Sequence, residues 1–164
     1  SEARLDAEGA IVLLKDQDRS KWDAELIALA DRHIDLAAAP QGMSMYHIEA
    51  AIAAVHAHAA TFGATDWTSI ILLYDELFRL NPSPVVLFNR AIAIGQAQGP
   101  VAGSAALDSV GGLEGSHLYH AARGDMLRDL SRRDEAREAY ALAATLTRSP
   151  AETELLRKKR DACS

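Results

Sequence analysis

Residues of similar size recur 33 or 34 positions apart in the C-terminal half of the chain. A period of this length is the size of a repeat made of two helices that cross closely at small side chains. Each such unit buries its apolar faces only by stacking on the next one, so the period predicts successive helix pairs rather than a sheet. The residues that align in two consecutive units are Gly124, Leu127, Ala136, Tyr140 and Ala143 with Ala91, Ile94, Ala102, Ala106 and Ser109.

The alignment assigns a packing role to each kind of residue. Gly124 and Ala136 take the small positions, where the helices of one unit approach each other, and Leu127 and Tyr140 fill the space between units. The period itself is that of tetratricopeptide units. The predicted fold is therefore all-α, a right-handed solenoid of tetratricopeptide-like antiparallel helix pairs.

A third and more degenerate unit is predicted at about residues 50–80. Pro82 and Pro150 each follow the second helix of a unit, and they are 68 positions apart, which is twice 34. Three stacked units are the usual minimum for a stable array of this kind. We expect helices with the polar motif in residues 1–48 and the repeats in residues 49–164, all within one compact domain.

Proline, glycine and capping residues divide the chain into about nine predicted helices. Asp66 is expected to cap one of them, and Pro84 fits the first position of the next, where a missing backbone N–H costs nothing. Helical spacing of apolar residues runs through the segments between the breaks. The predicted helices cover about residues 2–15, 20–33, 44–61, 66–80, 84–98, 100–110, 117–131, 134–148 and 150–161.

Composition limits the class of partner and the compartment. Apolar residues make up 49% of the chain and aromatic residues 5%, a balance that favours close-packed helices. The net charge of −6 argues against nucleic-acid binding by this region. The single cysteine, Cys163, excludes a disulfide framework and favours a reducing compartment. With no stretch that resembles a membrane span or a signal peptide, we expect a cytoplasmic location and no membrane contact. A start at Ser1 rather than Met suggests a piece of a longer chain.

The densest polar motif, called here the 16–23 motif, lies between the first two predicted helices. A calcium loop is a poor match, because the motif lacks the glycine at the turn and the glutamate twelve positions after the first ligand. Its residues either cap the second helix and dock Trp22 on the core, or form a surface that contacts a partner. The candidate contact residues are Asp16, Gln17, Asp18, Arg19, Trp22 and Asp23.

No arrangement of residues in the sequence resembles an active site or a metal site. His47, His56 and His58 share one predicted helix, but their spacing does not repeat that of zinc sites. Nucleophile elbows, phosphate-binding glycine loops and cysteine–histidine pairs are not found. We expect no catalytic activity, no metal and no cofactor.

A second candidate surface lies on the first helices of the repeats. Asn89, Arg90 and Arg123 fall on helices that line the concave face of such solenoids, and the two arginines are 33 positions apart. The guanidinium groups are placed to bind a carboxylate of a peptide or of another domain. The alternative is an internal salt bridge to Asp75, Glu76 or Asp125.

A basic run ends the last predicted helix. Arg157, Lys158, Lys159 and Arg160 lie where positive charge interacts favourably with the helix dipole. The run is therefore interpreted as a solvated helix end.

Several motifs together resemble the C-terminal extension of a group of bacterial extracytoplasmic-function RNA polymerase sigma factors. The 16–23 motif, with its sequence Asp-Gln-Asp-Arg-Ser-Lys-Trp-Asp, is the most specific of them. The likeness covers nearly the whole chain. The other segments that carry it are the alanine-rich run 50–57, the tripeptide 65–67, the segment 73–77 and the proline-containing segment 82–86.

The resemblance implies a regulatory role in transcription initiation. In that group the promoter-reading and polymerase-binding domains precede the extension, so DNA would be contacted only through domains before Ser1. The expected partners are those sigma domains, the RNA polymerase core or a signalling protein, with the 16–23 motif as a contact surface. The alternative from the repeat pattern alone is a free-standing tetratricopeptide adaptor that binds a carboxylate through Arg90 and Arg123.

Overall fold

The computed structural model describes residues 44–59 and 61–164, and its regular secondary structure within these ranges is entirely helical. The first two predicted helices and the 16–23 motif lie outside the described residues. A short 3-10 helix, Phe62–Ala64, lies between the first two of seven α-helices. The α-helices are α1 Met45–His58, α2 Trp67–Leu80, α3 Pro84–Gln98, α4 Pro100–Asp108, α5 His117–Asp129, α6 Arg133–Leu146 and α7 Pro150–Asp161.

Proline and capping residues set the helix starts as predicted. Pro84, Pro100 and Pro150 are the first residues of α3, α4 and α7. Asp66 caps α2, because its carboxylate accepts a hydrogen bond of 3.0 Å from the backbone N–H of Ser69. The seven helices predicted after residue 43 are thus confirmed, with ends that differ by at most a few residues.

The chain divides into two compact units, residues 1–86 and 87–164, and the division falls inside α3. In the described part of the first unit, α1 packs against α2, with Ile48 and Ile70 fully buried. The Trp67 ring meets the rings of His56 and Phe62 edge-on, at centroid distances of 5.1 and 5.0 Å. These ring contacts stabilise the segment that connects α1 to α2.

The second unit contains the buried cluster that the repeat predicts. Gly124 and Leu127 on α5 and Ala136 and Tyr140 on α6 are all buried, and Leu156 of α7 completes this cluster. A Cβ atom added to Gly124 would lie 2.6 Å from Cε1 of Tyr140. The small position at 124 is therefore required by the Tyr140 ring. The predicted burial of all four residues is confirmed, but the Tyr140 ring packs against Gly124 of its own helix pair rather than only between units.

The α3–α4 pair crosses at a different place from the one the alignment predicts. A Cβ atom on Gly103 would lie 2.6 Å from Cα of Gly95, so these two glycines mark the close approach instead of Ala91 and Ala102. One residue, Gly99, joins α3 to α4 and has a φ of 94°, whereas three residues join α5 to α6. The shorter connection brings the helices together nearer the turn.

A further buried cluster joins α3, α4 and α5. Ala91, Leu107 and Met126 are its buried members, and Phe88 and Tyr119 pack against them. None of the helices in the two described ranges has both the length and the apolar character needed to cross a bilayer.

Candidate protein-interaction surface

The 16–23 motif lies outside the described residues. The contact roles of Asp16, Gln17, Asp18, Arg19, Trp22 and Asp23 therefore stay predictions. The second candidate surface, formed by Asn89, Arg90 and Arg123, lies within the described residues.

Helix α3 carries Asn89 and Arg90, and helix α5 carries Arg123. All three residues are half-buried. Nε of Arg123 lies 3.8 Å from Oδ1 of Asp108, at the end of α4. The internal salt bridge considered as an alternative thus exists for Arg123, with a carboxylate other than the three expected.

The second unit contains another ion pair, between Arg132 and Glu135, and the charge of Arg123 acts on it. Arg132 donates two hydrogen bonds to the carboxylate of Glu135, at 2.7 and 2.5 Å. These bonds lower the pKa of Glu135, and the charge of Arg123 lowers it further. A carboxylate that approaches Arg123 therefore meets Asp108 as an internal competitor, whereas Glu135 is already paired with Arg132.

A polar network that the sequence analysis missed joins α5, α6 and α7. The Tyr140 hydroxyl donates a hydrogen bond of 2.7 Å to Oδ1 of Asp125. Lys159 donates to both carboxylate oxygens of Asp125, at 2.8 and 2.9 Å, and Nη1 of Arg128 lies 3.4 Å from the same Oδ1. One carboxylate thus accepts hydrogen bonds from three helices, including its own.

The network fixes the protonation of Tyr140. Burial raises the pKa of its hydroxyl well above the ordinary value, and the negative charge of Asp125 raises it further. The hydroxyl remains protonated at neutral pH and so stays a donor to Asp125. The hydrogen bond therefore stabilises the packing of α6 on α5, since the phenol is buried and its hydroxyl bonds to Asp125.

Lys159 corrects the interpretation of the basic run as a solvated helix end. Its side chain is 13% exposed and pairs with Asp125, whereas Arg157 and Lys158 are exposed as predicted. The signal was present in the spacing. Lys159 follows the buried Leu156 by three positions and precedes the buried Cys163 by four, so all three lie on one face of α7 and its extension.

The described histidines contact the backbone in or near their own helix or side chains of other elements. His47 Nδ1 accepts a hydrogen bond of 3.2 Å from the backbone N–H of Ser44, and His58 Nδ1 lies 2.8 Å from the carbonyl oxygen of Ala54. His117 Nε2 lies 3.1 Å from Oε2 of Glu152 on α7. Within residues 44–59 and 61–164, histidine, cysteine, aspartate and glutamate form no group of three that is placed to hold a metal ion.

A shallow hollow of about 300 Å³ lies in the first unit, between α1 and the start of α2. Its polar side chains are His58, which contacts the α1 backbone, and Asp66, which caps α2. Both therefore have structural tasks. The lining residues are Ala54, Val55, His58, Ala59, Ala64 and Asp66.

Two comparisons place the chain beside known sequences. Residues 1–38, which include the 16–23 motif, match the model of a family described as a family of unknown function (DUF6596). The chain is 44% identical over 160 residues to an uncharacterized protein of Rhizobium meliloti (strain 1021). That match covers 97% of this chain and 38% of the relative, so the chain spans well under half of the relative's length. No solved structure matches the chain.

Proposed function

We propose that this chain is the C-terminal regulatory domain of an extracytoplasmic-function RNA polymerase sigma factor. It acts in the cytoplasm by protein–protein contact and contains no catalytic centre, metal or cofactor. The observation that carries the proposal is the 16–23 motif, together with the other segments that resemble such extensions. The family match over residues 1–38 is consistent with this assignment because it includes the motif.

The helical architecture supports a binding role. Helix pairs joined by one or three residues, with small residues at their crossings, are the building units of tetratricopeptide-like solenoids, which use their surfaces to bind other proteins. In this proposal the units form a right-handed solenoid. The longer relative leaves room for the sigma domains that would precede this region.

The sigma domains, the polymerase core or both are the proposed partners. Such partners would contact the 16–23 motif, whose sequence combines three aspartates with one tryptophan, a residue type that often anchors interfaces. Contact with DNA would belong to the sigma domains alone. The net charge of −6 supports this division, since a surface that binds phosphates requires clustered basic residues.

Titration calorimetry with the purified chain tests the proposal. The ligands are the sigma domains encoded upstream in the same reading frame and, separately, core RNA polymerase. We expect micromolar or tighter binding to at least one of them, and a loss of at least tenfold in affinity on Trp22→Ala, about 1.4 kcal/mol. Asp134→Ala is the matched control, because the Asp134 side chain is 96% exposed and far along the sequence from the motif. A chain that is folded by circular dichroism but binds neither ligand contradicts the proposal.

Asp108 distinguishes this proposal from the adaptor alternative. If Arg123 binds a carboxylate of a partner, Asp108 competes for the same guanidinium. Asp108→Ala removes this competitor, so peptides with a free C-terminal carboxylate should bind more tightly. Arg90→Ala and Arg123→Ala should then abolish that binding. The regulatory proposal expects Asp108→Ala to leave sigma-domain binding unchanged, since the contact is made through the 16–23 motif.

A further inference from the structure

Helix α7 is held to the second unit by little apolar burial. Leu156 is the buried residue among its twelve, and Cys163, just beyond its end, is also buried. Helix α6 buries four residues over a similar length. A helix with few buried apolar contacts opens at a lower free energy than the core does.

Polar contacts make up much of the remaining attachment. Lys159 of α7 donates to both oxygens of Asp125 on α5, and its ammonium lies 5.6 Å from the centre of the Tyr140 ring on α6. At the other end of α7, Glu152 pairs with His117 at the start of α5. The Lys159 side chain is 13% exposed, so its pairing with Asp125 is less screened by water than a surface ion pair.

We propose that α7 is a strap that detaches from the α5–α6 pair as a unit while the rest of the second unit stays folded. The ion pair between Lys159 and Asp125 sets how often it detaches. Detachment removes Leu156 and Cys163 from the buried cluster that they share with α5 and α6, and so exposes part of that cluster. This local opening is independent of which partner the 16–23 motif binds.

Cys163 reports directly on the strap. It is the single cysteine of the chain, it is 3% exposed, and its Sγ lies 3.3 Å from the carbonyl oxygen of Lys159. A thiol reagent reaches the sulfur only when the segment that follows α7 leaves its site. When opening and closing are fast relative to the chemistry, the labelling rate measures the population of the detached state.

The test compares labelling of Cys163 in the full chain with labelling in two variants that each lose one positive charge. Lys159→Met removes the pair with Asp125. Arg160→Met removes the neighbouring charge, whose ion partner is Asp161 on the same helix, at 2.8 Å. Both variants lose one positive charge within four positions of Cys163, and only Lys159→Met loses the contact with α5. We expect labelling to be about tenfold faster in Lys159→Met, because the variant loses both charge-assisted hydrogen bonds that join α7 to Asp125 on α5. In Arg160→Met the rate should change by less than about twofold.

Urea separates detachment of the strap from global unfolding. The free energy of opening, derived from labelling rates, should fall less steeply with urea than the free energy of unfolding followed by circular dichroism, since less surface is exposed. Asp125→Asn is a second variant for the case that Lys159→Met is too unstable to interpret. It keeps the shape of the side chain but removes the charge, so it should also speed labelling. Equal labelling rates in wild type and both Lys159→Met and Asp125→Asn would overturn the proposal. So would equal urea dependences for labelling and for global unfolding.

Discussion

Tyr140 is the residue at which the packing and the polar contacts of the second unit meet. Its ring is completely buried and lies against Gly124, while its hydroxyl donates to Asp125. A buried aromatic ring supplies a large apolar area, and its polar end needs a partner. Asp125 provides that partner and at the same time receives Lys159 from α7, so one side chain links core packing to the attachment of the last helix.

Tyr140→Phe should lower the free energy of unfolding by about 1 kcal/mol at neutral pH, because Asp125 keeps Lys159 and Arg128 as donors. It should also weaken the loss of stability in alkali. The unfolded chain releases the phenol proton near pH 10, whereas burial and Asp125 raise the pKa of the folded Tyr140. Above about pH 10 the unfolded state therefore binds fewer protons, and stability falls as pH rises. Urea denaturation between about pH 8 and 11 measures both effects.

The control for this experiment is Tyr46→Phe, because the Tyr46 side chain is 79% exposed. It should leave both the stability and its pH dependence unchanged. Some alkaline loss should persist in Tyr140→Phe, since burial also raises the pKa of Tyr74. If the pH dependence of Tyr140→Phe equals that of the wild type, Tyr140 is not the group responsible.

Gly124→Ala should lower the free energy of unfolding by about 1–2 kcal/mol. The new methyl group would meet three ring atoms of Tyr140 within 3.0 Å, and crowding of this kind outweighs the roughly 1 kcal/mol that alanine gains over glycine in a helix. Gly95→Ala is the matched helical control. Its methyl group would meet the flexible end of Met126 at 3.1 Å, so we expect a change within about 0.5 kcal/mol. Thermal unfolding of the two variants that gives equal losses would refute this account.

At the scale of the elements, the turn between α5 and α6 carries a residue in an unfavourable conformation. The N–H of Ser131 bonds to the carbonyl of Arg128, and the N–H of Arg132 bonds to that of Leu127, at 2.9 Å each. This is the Schellman arrangement, whose left-handed position normally holds glycine. Ser131 occupies it with a φ of 61°. The turn is thus kept at some cost in backbone strain.

Ser131→Gly should raise the free energy of unfolding by about 0.5–1 kcal/mol, because glycine adopts a positive φ without steric penalty. Ser109→Gly should have the opposite effect. Ser109, the C-cap of α4, has a φ of −83°, which any residue adopts. Glycine at this position would increase the freedom of the unfolded chain, and the hydrogen bond from the Ser109 hydroxyl to the carbonyl of Ala106 would be lost. Chemical denaturation of both variants measures the contrast, and a stabilised Ser109→Gly or a destabilised Ser131→Gly would contradict it.

The starts of the helices followed from the sequence because they depend on local chemistry. Pro84 and Asp66 act through their own backbone and nearest neighbours, so their effects were predictable. The point at which α3 and α4 cross depends on the conformation of Gly99, the one residue that joins them. A 33-residue spacing does not predict the length or the conformation of that connection. For the same reason the alignment assigned Ala91 a role that Gly95 fills.

The charged contacts were harder to predict because the partners are distant in sequence. Lys159 and Asp125 are 34 positions apart, and a helical wheel places Lys159 on the buried face without naming its partner. Arg123 was correctly given an internal ion pair as one alternative, but its carboxylate is on the preceding helix, α4. Pairing between helices follows from their packing, which the repeat pattern defines only to within about a turn.

At the scale of the whole molecule, residues 81–164 should fold without the rest of the chain. Both buried clusters of the second unit draw all their members from residues 88–163. We expect this fragment to keep helical circular dichroism and a single cooperative urea transition. The same fragment with Tyr140→Ala should be unfolded, since a loss of about 3–5 kcal/mol is comparable to the stability of so small a domain. An unstructured wild-type fragment would mean that the clusters depend on residues before Asn81.

The meeting of Gly95, Gly103 and Met126 has a consequence for how sequences of this kind diverge. A methyl group on either glycine would lie 3.1 Å from the Met126 methyl, and one on Gly103 would also strike the α3 backbone. Position 103 is therefore closed to any larger residue. Position 95 can take alanine when the flexible end of Met126 moves aside, but a larger residue there requires a shorter side chain at 126. Among homologous chains we therefore expect residues larger than alanine at 95 to be accompanied by a shorter side chain at 126.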